Sequence, residues 1–192
     1  MTEFLLFKLI REVGMKSLLK ILLAVLVCLG VQRAWGGLAM DQAPKAVILH
    51  DGLGGHLDGT AWSSEELKGK VSILFYVDPD EKDLNNGASE ALKAAKFPHD
   101  KYQSFGIINM AATWLPNFVI SASLKEKQKQ YKYTIYLCDF KKLLVKEWGL
   151  TDDTSDVLVF DKSGALIFRK DGKLNEEEIK ALVKTVGCAI KK

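Results

Sequence analysis

At 192 residues the chain is long enough to bury a core without help from disulfides or metals, and it fits one domain with additions. Its formal charge of +3 is carried by the first 36 residues, where Lys8, Arg11, Lys16, Lys20 and Arg33 stand against Glu3 and Glu12; the remainder holds 22 basic and 22 acidic side chains. A neutral domain argues against nucleic acid as a partner, because phosphate binding rests on a basic excess or stripe.

The amino-terminal stretch reads as a targeting segment. Met15-Lys16-Ser17-Leu18-Leu19-Lys20 is a short basic region, Ile21 to Val31 is an apolar run, and the small residues Ala34 and Gly36 follow. About twenty apolar residues are needed to cross a bilayer, so this run is short for an anchor. The pattern predicts a signal peptide cleaved near Gly36 or Ala39, with Met15 as an alternative start, and hence a periplasmic location. Membrane contact is then expected only through the segment if it stays uncleaved. A lipoprotein reading at Cys28 is weak, because Val27 precedes it where a small residue is wanted. The chain divides into an extension and signal peptide, 1–36, and a domain, 37–192.

Within the domain, Ala46 to Leu49 predicts a short strand, and the Gly-rich His50-Asp51-Gly52-Leu53-Gly54-Gly55-His56 predicts a turn. His50, Asp51, His56 and Asp58 are ligand types for a metal, but in a glycine-rich turn the same residues serve as solvated hairpin residues, and no metal site is assigned. Ser63 or Ser64 caps a helical turn that Gly69 ends. Lys70 to Val77 then reads as a central strand buried on both faces. The loop beyond it holds Asp78, Asp80, Glu81 and Asp83, and no Cys, Ser or His.

Asn85 or Asn86 is placed to cap a helix that stops before Pro98. Phe105 to Met110 reads as a second buried strand, Trp114 to Gln130 as a helical segment, and Tyr133 to Cys138 as a third strand closed by Asp139. The charged run Lys125 to Lys129 is most simply a solvated face, with a partner patch as the alternative. Leu143 to Trp148 reads as a short helix or turn ending at Gly149. Val157 to Phe160 and Leu166 to Arg169 form a hairpin around Asp161-Lys162-Ser163-Gly164. Asn175 with Glu178 opens a last helix whose Ile179, Leu182, Val183 and Val186 share one face.

This order predicts an α/β domain: a mixed central sheet flanked by helices, ending in a β-hairpin and a terminal helix. It resembles a thioredoxin-like fold through Trp62 to Val77, Val157 to Gly164 and the segment from Asn175 onward. Ala94 to Gln103 together with Ile107-Ile108-Asn109 resembles the signature of the YtfJ family of bacterial periplasmic proteins, and the likeness runs from about Pro44 to about Lys184. That resemblance implies a thioredoxin-like fold and a compartment; it implies no activity, since the family has no settled biochemical function.

Departures from active thioredoxins are informative. Those place a nucleophilic Cys after the first core strand, where a helix N-terminus stabilises the thiolate. Asp78 to Lys82 offers no sulfur. They also place a cis-proline before the strand matching Val157 to Phe160, and Ser155 stands there. Cys138 and Cys188 remain as a possible disulfide, or as the redox pair of an alternative thiol-disulfide or peroxide-related enzyme; neither lies at a predicted helix N-terminus. His99, beside Asp100, is a further acid–base candidate, more simply read as part of a turn packed by Phe97 and Tyr102. The expectation is a binding or structural protein with no catalytic residue, no cofactor and no bound metal, whose partner is an unidentified periplasmic protein or small ligand.

Overall fold

The computed structural model describes residues 37–192, so the leader with its Gly36 cleavage point lies outside the described residues. The strands are β1 (Ile48–Leu49), β2 (Gly54–His56), β3 (Trp62–Ser63), β4 (Val71–Val77), β5 (Tyr102–Asn109), β6 (Thr134–Asp139), β7 (Ser155–Phe160) and β8 (Leu166–Lys170). The helices are α1 (Asn86–Ala94), α2 (Asn117–Gln130), α3 (Leu143–Trp148) and α4 (Glu176–Lys191). Six strands form one mixed sheet in the order β2-β6-β5-β4-β7-β8, and β1 and β3 form a separate pair.

The apolar run of β4 is explained by its place inside this sheet. It pairs in parallel with β5 and antiparallel with β7, so its ladder is satisfied on both edges and its side chains meet a layer on each face. Leu74 and Tyr76 point to one face, with Phe105, Ile107, Leu137 and Leu158, where α3 and the β1–β3 pair lay down Leu144, Trp148 and Trp62. Val71 and Ile73 point to the other face, under Ala88 and Leu92 of α1 and Leu182 and Val186 of α4. Further along that second face, Ile108, Met110 and Cys138 are covered by Ile120 and Leu124 of α2. This is the predicted α/β architecture of a mixed sheet between helical layers, with the hairpin and terminal helix at its end.

Local signals account for the borders. Ser63 and Glu66 make a reciprocal capping box on the 3-10 turn Ser64–Leu67, and Asn175 and Glu178 make another on α4. Gly69 sits at φ +87° and Gly149 at φ +63°, the left-handed conformation in which glycine closes a helical turn at least cost.

Two expectations change. The Gly-rich segment is not only a turn: Gly54, Gly55 and His56 form the edge strand β2, antiparallel to β6. The glycines are there because the two backbones approach too closely for a side chain; a Cβ on Gly54 would sit 1.9 Å from the Cys138 carbonyl oxygen. Asn85 does occupy the N-cap position of α1, but its side chain makes no capping bond. It is buried and turned to the sheet instead, donating to the Ser155 and Gly172 carbonyls at 3.1 Å each and accepting from the Leu174 N–H at 3.0 Å.

Candidate functional site

The three central strands each end in a polar residue: β4 is followed by Asp78, β5 ends at Asn109 and β6 ends at Asp139. The parallel register places Val77, Ile108 and Cys138 in one row, and Asn109 beside Asp139 in the next. A band of buried polar groups therefore lies at the carboxyl end of the sheet, where loops leave an α/β sheet and where sites are commonly built.

Most of that band is committed to holding loops. The Asp139 carboxylate accepts from the Lys141, Leu143 and Leu144 amides at 2.9–3.1 Å and from the Tyr76 hydroxyl at 3.1 Å, so it fixes the start of α3. Burial, and the carboxylate of Asp139 beside it, push the Tyr76 phenol far up. Asn109 donates to Asp152 at 2.9 Å, and Lys142 donates to the other oxygen of Asp152 at 2.6 Å. Burial pulls the Asp152 carboxyl up, but the Lys142 hydrogen bond and charge outweigh it and hold it below the usual range. The Asn109 side-chain oxygen and one oxygen of Asp156 are buried without a partner.

Above this band lies the 78–83 loop. Asp78 is buried; its N–H donates to the Thr154 carbonyl at 2.9 Å and its carboxylate accepts from the Asp80 amide at 2.8 Å. Burial, then the negative charge of Asp80, Asp153 and Glu81, raises its pKa. Thr113 donates to Asp80 at 3.3 Å, which ties the start of the β5–α2 connection to the same loop. Facing this loop, Ser155 pairs with Val77 across the β4–β7 ladder and is buried, its hydroxyl accepting from Asn85 at 3.2 Å. The place that carries an attacking sulfur in active thioredoxins is thus lined by carboxylates and a tethered hydroxyl. It contains no nucleophile set against a base.

The sulfur lies elsewhere. Cys138 and Cys188 are both free, Cys138 buried and Cys188 exposed. Cys138 shares the row of Val77 but two strands away, about 10 Å by the ordinary strand spacing, and it is roofed by Ile120 and Leu124. Burial pushes its thiol up to about 11, the direction opposite to that of a reactive cysteine. Cys188 lies near the end of α4.

The histidines are scattered. His50 lies 3.0 Å from Asp51, His56 lies 3.3 Å from Glu66, and Asp58 accepts from the Thr60 amide and hydroxyl at 2.9 and 2.6 Å. Among the described residues no three His, Cys, Asp or Glu side chains converge to hold a metal ion. His99 stacks on Tyr133 with ring centres 3.6 Å apart, and its carbonyl accepts from Lys70, at the amino end of the sheet and away from the carboxylate loop. Phe97 and Tyr102 pack together there, as the sequence predicts. The buried set Tyr76, Asn109, Asp139 and Asp156, the half-buried Asp152 bonded to Asn109, and the exposure of Trp114 and Phe118 are not predicted from the sequence. The available signal was a polar residue closing each apolar strand.

Comparison with known proteins adds family and fold. Residues 46–188 match the family model described as "Bacterial protein of unknown function (YtfJ_HI0045)". The chain is 32% identical over 126 residues to "Uncharacterized protein YtfJ" of Escherichia coli strain K12, covering 64% of this chain and 68% of that one. It is 33% identical over 129 residues to an uncharacterized protein of Haemophilus influenzae, covering 65% and 70%. Among solved structures, the thioredoxin domain of a thiol-disulfide oxidoreductase from Bacteroides vulgatus superposes with a TM-score of 0.53 at 14% identity, over 77% of this chain and 97% of that one. That likeness carries the fold alone.

Proposed function

The chain belongs to the YtfJ family and has a thioredoxin-like fold, and from that premise we propose that it is exported to the periplasm and acts by binding a partner, without thiol chemistry. One observation carries this reading: at the carboxyl end of β4 the chain offers Asp78, Asp80 and the tethered Ser155, while the thiols of the domain are placed elsewhere. Thiol-disulfide exchange needs an accessible thiolate. Cys138 is buried with a raised pKa, and Cys188 is exposed but, among the described residues, is bonded to no second sulfur. The apolar, basic-flanked leader supports export.

The test has two parts. A chain with Cys138→Ala and Cys188→Ala, expressed in cells lacking the native protein, is expected to complement the null phenotype as fully as wild type, and neither purified protein is expected to catalyse insulin reduction by dithiothreitol. Loss of complementation by the double variant while it remains folded would return the thiol-enzyme reading. Fractionation with intact-mass measurement checks the export: recovery of the full-length chain in the cytoplasm overturns it.

A further inference from the structure

The connection between β5 and α2 exposes aromatic surface that the fold does not use. Trp114 is 86% exposed and Phe118 75% exposed, with Val119 beside them, whereas Trp62 and Trp148 are buried. Leaving two large aromatic rings in water forgoes the stabilisation that their burial would bring. Leu115, between them, packs on the α2 core, and Thr113 hydrogen-bonds both to the Leu115 amide and to Asp80. Trp114 is therefore held at the border of the 78–83 loop by a fixed turn rather than carried on a free tail.

The charge around these rings selects the partner. Lys82 pairs with Asp83 and Lys142 with Asp152. Among the described residues no lysine or arginine is bonded to Asp80, Glu81 or Asp153, whose charges all act on Asp78, although the Lys142 charge also acts on Asp153. The lysines of α2 stand further along the helix, at Lys125, Lys127 and Lys129, and Lys127 acts on Asp83. The aromatic surface thus borders a patch whose carboxylates are only partly offset by Lys82, Lys127 and Lys142.

We propose that Trp114 and Phe118, with Asp80, Glu81 and Asp153 beside them, form a docking surface for a polypeptide segment that carries Lys or Arg next to bulky apolar side chains. The rings supply apolar area and a π face for the stem and head of the cationic residue, and the carboxylates set the sign of the partner. The inference rests on the binding role proposed above and names the class of partner for the same end of the molecule.

The experiment is fluorescence anisotropy of two labelled peptides, Lys-Phe-Lys-Leu-Lys and Glu-Phe-Glu-Leu-Glu, titrated with the purified protein at 50 and at 500 mM salt. The basic peptide is expected to bind and the acidic one not to, with affinity falling at least tenfold at high salt. Trp114→Ala with Phe118→Ala should weaken binding tenfold or more, and both positions are exposed, so the fold is expected to survive. Asp80→Asn, Glu81→Gln and Asp153→Asn together should abolish the preference for the basic peptide. Equal binding of the two peptides, no binding of either, or affinity untouched by the aromatic substitutions overturns the proposal. Concentration-dependent self-association that disappears in the aromatic double variant also overturns it, since a second copy would then be the occupant. Failure here with intact complementation by the Cys138→Ala, Cys188→Ala chain leaves the absence of thiol chemistry standing.

Discussion

At Asp156 one carboxylate oxygen accepts from the Thr151 amide at 2.8 Å and the other has no partner, in a residue with no exposed surface. Burial lifts its pKa to about 6 from an ordinary 3.8; the negative charge of Asp171 adds to this, and the Thr151 bond and Arg169 work against it. Tyr76 and Asp139, on the same sheet face, bring no further cation to it. The folded state binds the proton more tightly than the unfolded chain, so the stability this group contributes is full below about pH 4 and is lost as pH rises through 6. A shift of about two units corresponds to about 3 kcal/mol. Urea denaturation of wild type and Asp156→Asn at pH 4, 5, 6 and 7.5 checks this: wild type should gain up to about 3 kcal/mol relative to the variant on going from pH 7.5 to pH 4. Parallel stability curves for the two proteins would refute the assignment. The comparison must be with the variant, because Asp152, Asp161 and Glu178 have lowered pKa values and lose their stabilising effect in acid, the opposite sense.

Among the elements, β2 shows what a glycine does when its neighbour is backbone. Gly54 combines φ +136° with the close Cys138 carbonyl, so Gly54→Ala meets both a strained conformation and a collision. The edge is expected to open, costing about 3 kcal/mol by the range for such sites. Hydrogen exchange should accelerate at the β2 amides and at the Phe140 amide, which bonds to the Leu53 carbonyl, while the β4 amides keep their protection. Unchanged exchange at Phe140 would sink the idea. The same strand marks where the sequence stops being legible. Apolar runs and capping residues announce β4, β7, α4 and the Ser63 turn, because burial and caps are local properties of the chain. A strand held only by close backbone approach carries no alternation of side chains, so Gly54-Gly55-His56 reads as a turn. Asn85 fails the same way: its position suggests a cap, but the donors and acceptors that claim its side chain lie at 155, 172 and 174, far along the chain. The vacancy of sulfur after β4 was legible, since it needs only residue types; the charge pattern around Asp78 was not, since Asp152 and Asp153 arrive from a distant loop.

For the molecule as a whole, the two cysteines of the domain report different things about one sheet. Cys188 is exposed on α4, so a thiol reagent needs no opening of the fold to reach it. Cys138 lies between the sheet and α2, and its thiol, raised to about 11, is also almost wholly protonated at pH 8. At that pH its thiolate fraction is about a thousandth, against about a quarter for an ordinary cysteine. Chemistry alone then slows its reaction by a few hundredfold, and burial slows it further until α2 lifts or the domain unfolds. Labelling with iodoacetamide and quantifying the tryptic peptides should show Cys188 modified at the rate of a free thiol and Cys138 slower by a factor of 10³ or more. In rising urea the Cys138 rate should climb with the slope of global unfolding if the sheet and α2 open together, and with a much smaller slope if α2 opens alone. The second result would locate the most mobile part of the domain in the helix that carries Phe118 and follows Trp114, linking the aromatic surface to a movable element. Equal labelling of both cysteines in native buffer would mean that the Cys138 row is open to solvent, and the burial of its thiol, on which the non-redox reading depends, would fail with it.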